Sequence, residues 1–122
     1  MKSMFTDGRK RILRRTRVRA GCRPGQAVAL FRILQEGLNN AARHALAKSV
    51  AVSLKAIGKN LILTICDTGI GFDVQFRSTS PAGFGLIIMR ERMRAVGGHF
   101  TIESRPGRGT TITASVPREE KR

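Results

Sequence analysis

Asp67-Thr68-Gly69-Ile70-Gly71-Phe72 constrains the fold of this chain more than any other stretch. Leu61, Leu63 and Ile65 alternate ahead of it, the period-two pattern of a strand with one buried face. An acid at the end of such a strand is held in place by the sheet. The two glycines allow a sharp turn and bring bare backbone close to a ligand. A fixed carboxylate accepts hydrogen bonds from a ligand amino group, and charge-assisted bonds are the stronger kind. The same pattern also describes an ordinary strand-to-turn connection.

The chain has 122 residues, the size of one domain with a single core. Cys22 and Cys66 show no metal-ligand spacing and no disulfide framework, and a reducing cytoplasm is the expected compartment. No apolar run approaches a membrane span. The formal charge of +15 is unevenly spread: residues 1–25 hold nine of the 23 basic residues and one acid, a net +8. Such an arm offers non-specific attraction to polyanions. Phe5 is its one aromatic, so base stacking has little to work with. The expected division is a basic, flexible arm over residues 1–25, a folded domain over 26–118 and a charged tail over 119–122. Within the arm, residues 1–13 read as a leader and Arg14 to Ala20 as an edge strand.

From Ala27 to Ala47 the period becomes helical, with an apolar stripe of Leu30, Ile33, Leu34, Leu38, Ala41, Ala42 and Ala45. Glu36 and Asn40, four apart, are neighbours on one face. Asn39 and Asn40 in succession weaken a helix, because their amides compete with the backbone; either solvent exposure or a ligand accounts for them. Val50, Val52 and Leu54, a turn at Gly58-Lys59-Asn60, and Leu61 to Cys66 make a hairpin leading into Asp67. Asp73 to Ala82 reads as a mobile loop. Gly83-Phe84-Gly85 opens a second helix that buries Leu86, Met89, Met93 and Val96 and ends at Gly97-Gly98. A last hairpin turns at Pro106-Gly107-Arg108-Gly109. The order predicts an α+β fold: a two-layer sandwich with helices on one face of a mixed, mostly antiparallel sheet.

Three features combine into a site. A helix carries Glu36 and Asn40 at one-turn spacing, a strand ends in Asp67, and a glycine loop runs into a helix start. Helix starts hold unpaired N–H groups that suit phosphate. Magnesium takes hard oxygen ligands, often only one or two from protein. An acid for a base, an amide for a metal and a loop for phosphates together suit a nucleotide.

Gln35-Glu36-Gly37-Leu38-Asn39-Asn40-Ala41-Ala42-Arg43-His44-Ala45 resembles the N-box of sensor histidine kinases. Residues 67–72 resemble their first glycine box, and Gly83 to Met93 the second, in the form found in nitrate-sensor-type kinases. Gly107-Arg108-Gly109-Thr110 resembles the closing box. The resemblance implies the Bergerat ATP-binding fold. It further implies that Asp67 accepts the adenine amino group, that Asn40 holds Mg²⁺ with Glu36 beside it, and that Arg43 and His44 face the phosphates. Gly69 and Gly71 shape the adenine pocket and Thr110 lines its floor. Residues 73–82 form a lid, with Gly83, Gly85 and Leu86 at its hinge. The implied activity is transfer of the ATP γ-phosphate to a histidine on a separate or missing dimerisation domain, and through it to a response regulator. Gly37 departs from the family's usual Ala, at a cost of about 1 kcal/mol in helix propensity. His44 lies inside the N-box and His99 at a strand start, so neither is placed as an acceptor. A kinase-like anti-sigma factor with the same pocket is the alternative. A basic nucleic-acid binder explains the arm but none of the boxes.

Overall fold

A computed structural model describes residues 2–7, 12–15, 21–43, 49–71 and 84–118. Two helices, α1 (Pro24–Arg43) and α2 (Phe84–Ala95), accompany six strands: β1 (Lys2–Asp7), β2 (Ile12–Arg15), β3 (Ser49–Ile57), β4 (Asn60–Asp67), β5 (His99–Ser104) and β6 (Thr110–Pro117). The strands form one sheet in the order β2-β1-β3-β4-β6-β5, and every recorded pairing is antiparallel. α1 packs on β4 and β6, α2 on β5 and β6, and the helices touch each other. This is the two-layer α+β sandwich that the element order predicts.

Alternation in the strands decides which side chains meet the helices. Leu61, Leu63, Ile65 and Asp67 of β4 point inward, as do Thr110, Ile112, Ala114 and Val116 of β6. Ile33, Met89 and Met93 fill the space between the layers. α1 runs in the same direction as β4. Its early residues Leu30 and Leu34 share an apolar cavity of about 250 Å³ with Leu61 and Leu63. Gly37, nearly a turn beyond Leu34, lies over Ile65. The last turn of α1 therefore arrives at the end of β4 that carries Asp67.

The structure differs from the sequence expectation at two places. α1 begins at Pro24 rather than Ala27, because proline suits a first helical turn and Gln26 caps it. Gln26 Oε1 accepts from the Arg23 backbone N–H at 3.1 Å, the N3-to-cap contact of a capping box. The buried stripe is rotated accordingly: Ala29, Leu30, Ile33, Gly37 and Ala41 are buried, whereas Ala42 is exposed. In the arm, residues read as a leader form β1, which pairs along β3 from Lys2↔Leu54 to Asp7↔Ser49. The outer edge of β3 would otherwise carry unpaired N–H and C=O groups, and a neighbouring strand satisfies them. The edge strand lies at Ile12–Arg15, which overlaps the start of the stretch expected to supply it.

Candidate functional site

Asp67 is the fourth inward position of β4, so strand periodicity carries a carboxylate to the rim of the core, 8% exposed. Its backbone pairs with Val50 on one side and Thr110 on the other. Oδ1 accepts from the Gly69 N–H at 2.8 Å, which fixes the carboxylate's orientation. Thr68 ties the following turn to β3 through its N–H, which donates to the Ser49 carbonyl at 3.2 Å.

The two glycine boxes that the sequence separates by almost forty residues are packed together. Gly71 has φ +67 and sits against the Arg105 and Gly109 carbonyls; Gly109 has φ +75 and sits against the Asp67 carbonyl. A Cβ at either position would overlap backbone, and positive φ strains any other residue. The Gly107 N–H donates to the Ile70 carbonyl, closing the contact. Thr110 is buried, and its Oγ1 lies 2.8 Å from Ser104 Oγ, which also donates to the Gly109 carbonyl at 3.0 Å. Asp67, Gly69, Gly71 and Thr110 thus form one wall.

A second cluster lies between the helices. Glu36 and Asn39 of α1 line a cleft of about 640 Å³ with Gly85 and Met89 of α2. A Cβ on Gly85 would stand 3.2 Å from Glu36 Oε1, so this glycine keeps the helix start open beside the carboxylate. Leu86, next to it, is buried. Asn40 is half-buried on the next turn from Glu36, at the Asp67 end of α1. Arg43 is the last residue of α1. His44, Gly83 and the lid expected over 73–82 fall outside the described residues. Among the described residues, no three of His, Cys, Asp and Glu come together as a metal cage. Asn40 and Glu36 carry side-chain oxygens of the hard kind that magnesium takes.

Two residues escaped the sequence reading. Gln26, buried, holds α1 to α2: its Nε2 donates to the Val96 carbonyl at 3.1 Å. Its signal was the glutamine three residues past the helix cap. Ser104, which braces Thr110 and Gly109, carries no pattern that distinguishes it from any strand-end serine.

Residues 25–120 match the family of histidine kinase-, DNA gyrase B- and HSP90-like ATPases. The chain belongs to this family. Over 95 residues it is 42% identical to a sensor-like histidine kinase described as uncharacterized, from Chloroflexus aurantiacus, covering 75% of this chain and 16% of that protein. It is 38% identical over 95 residues to the histidine-protein kinase/phosphatase DegS of Bacillus subtilis, covering 77% of this chain and 25% of that protein. The fold superposes on the mycobacterial sensor histidine kinase MprB with a TM-score of 0.61 at 26% identity, over 78% of this chain and 74% of that one. This ATPase-family chain therefore corresponds to the ATP-binding catalytic domain of sensor histidine kinases, and spans a quarter or less of the length of these two curated relatives. No helix among its described residues is long and apolar enough to cross a membrane.

Proposed function

We propose that this domain binds Mg-ATP and presents the γ-phosphate to a histidine on a dimerisation domain, from which a response regulator is served. The observation that carries the reading is the oriented, buried carboxylate of Asp67. Gly69 occupies Oδ1, and Oδ2 accepts the exocyclic amino group of adenine, with Gly71 and Thr110 shaping the wall around the base. α1 delivers Asn40 to the same end of the sheet. Asn40 would hold Mg²⁺, and Glu36 would order water or the metal's shell; the ion supplies charge neutralisation of the phosphates. Arg43, His44 and the segment from Gly83 to Leu86 serve the phosphates, and residues 73–82 serve as lid. Cys66 is an exposed free thiol, in keeping with action in a reducing cytoplasm. The relatives named as histidine kinases favour this reading over an anti-sigma factor.

Calorimetric titration of the chain with Mg-ATP tests it. Losing a hydrogen bond to a charged group costs roughly 1.5–3 kcal/mol, so Asp67→Asn should weaken binding by about one to two orders of magnitude. Unchanged affinity in that variant would overturn the pocket assignment.

A further inference from the structure

β5 ends the sheet on one side with its outer edge unpaired: among the described residues its only strand neighbour is β6. An antiparallel strand turns the N–H and C=O of every second residue away from a given neighbour, so this edge offers a row of donors and acceptors. The usual protection of such an edge is missing. His99–Ser104 contains no proline, lysine or arginine, and its register against Ser115–Thr110 runs residue for residue without a bulge. β2, at the opposite edge, carries Arg14 and Arg15. β5 is also incompletely covered. Phe100 pairs with Ala114 and Ile102 with Ile112; these β6 partners are 0% and 3% exposed, whereas Phe100 and Ile102 are only half-buried. A further strand beside them would take more of that apolar surface out of water. Where β5 turns towards β6, Glu103, Arg105, Arg108 and Thr111 line a cavity of about 650 Å³. Both arginines are exposed and neither pairs with Glu103, the one acid in the lining; the ion pair recorded among the described residues joins Arg94 and Glu91.

We propose that β5 is a docking edge for an extended, acidic segment of a partner protein, which joins the sheet as a further strand. The bare backbone dictates the extended conformation, because a strand is what answers alternate N–H and C=O groups along an edge. Alternate apolar side chains of the segment cover Phe100 and Ile102. Its carboxylates meet Arg105 and Arg108 at the turn, where opposite charge both attracts the segment and fixes its register. A second copy of this chain fits the edge less well, since two molecules of net charge +15 repel one another. The inference goes beyond nucleotide binding and does not rest on it.

The test uses the full chain and a fluorescent ten-residue peptide of alternating valine and threonine with two glutamates at each end, followed by anisotropy. Two twins carry N-methyl groups on alternate residues, one twin for each phase, so that each loses the donors of one edge. One of them should bind about tenfold more weakly or worse, and the other within about threefold of the parent, because a strand pairs through one edge only. Alternate amides of β5 should exchange more slowly when the parent peptide is present, and those of β3 should not change. Arg105→Ala/Arg108→Ala should weaken binding about tenfold. Lys55→Ala/Lys59→Ala, which removes the same charge elsewhere on the exposed surface, should change it less than about twofold, because screening dilutes charges at a distance. Equal losses for the two N-methyl twins, or no slowing in β5, would overturn strand addition. Equal losses in the arginine and lysine variants, or equal binding of a peptide with glutamine for every glutamate, would overturn the acidic partner, and failure of the wild-type chain to bind the parent peptide would overturn both. Failure to bind Mg-ATP, with the peptide results as expected, would overturn the kinase reading and leave the docking edge standing.

Discussion

Gly37 of α1 rests on Ile65 of β4 so closely that a Cβ on the glycine would stand 2.7 Å from Ile65 Cδ1 and 3.4 Å from its Cγ2. The helix lies low on the sheet at this point, one turn before Asn40 and two strand residues before Asp67. An alanine would gain about 1 kcal/mol in helix propensity. It would also force the Ile65 side chain or the helix to move, and overpacking of a core costs roughly 1–3 kcal/mol.

Gly37→Ala should therefore lower stability by up to about 2 kcal/mol in urea unfolding. Ile65→Val removes the methyl at 2.7 Å, so the double variant Gly37→Ala/Ile65→Val should be more stable than the sum of the two single changes predicts. The expected coupling is at least about 0.5 kcal/mol, the range found for residues in contact. Strict additivity would show that the helix simply rides up and that the close approach carries no constraint.

Gln26 should matter to the angle between the helices as well as to the start of α1. Its amide caps α1 through Arg23 and reaches across to Val96, just past the end of α2. Gln26→Met keeps the volume and removes both bonds. The expected cost is about 1–3 kcal/mol, since the carbonyl of half-buried Val96 loses its donor. Amide exchange at the end of α2 should accelerate along with that in the first turn of α1. Acceleration confined to α1 would reduce Gln26 to a local cap.

The paired strands of the basic arm suggest a third outcome. A chain of residues 21–122 lacks β1, so β3 keeps only β4 as a neighbour. Amide exchange in β3 should rise, while β6, which retains β4 and β5, should be unaffected. Removing residues 1–20 also removes eight basic residues, so binding to duplex DNA should become weaker and less steeply dependent on salt. Unchanged exchange in β3 would show that β1 does not guard that edge.

What the sequence made legible follows from what periodicity and glycine can encode. The strand ahead of Asp67 was readable because alternation and burial coincide in β4, and the acid continues the same phase. The stripe of α1 was nearly right but rotated: Ala42 is as apolar as Ala41, and only packing against the sheet selects one over the other. The convergence of Gly71 on Gly109 was beyond any local pattern, since it depends on β6 pairing beside β4. The pairing of β1 with β3 was missed for a similar reason: the arginine-rich sequence that follows it suggests a solvated tail, and an open sheet edge overrides it.

The last prediction concerns phosphate on the chain itself. His99 opens β5, pairs with Ser115 and is exposed, in phase with exposed Thr101 and Glu103. Phe100 and Ile102, in the opposite phase, pack against the core under the helices. His99 therefore faces away from the layer that carries α1, α2 and the buried side of Asp67. It is also displaced along the sheet. Ser104 pairs with Thr110, and Thr110 with Asp67, so the Asp67 level meets β5 five residues from His99. That is about 17 Å along the strand. Phosphoryl transfer requires the attacking atom within about 3–3.5 Å of the phosphorus and in line with it. Incubation with γ-labelled ATP should consequently leave no acid-labile label on His99, and His99→Ala should bind ATP as the parent does. A His44→Ala variant, examined in parallel, covers the histidine outside the described residues. Added as a separate chain, a histidine-bearing dimerisation hairpin should accept label slowly and in proportion to its concentration, because the reaction is then bimolecular and lacks a tether. Label on the chain alone that disappears in His99→Ala would show that the sheet reverses or opens in a way this packing forbids.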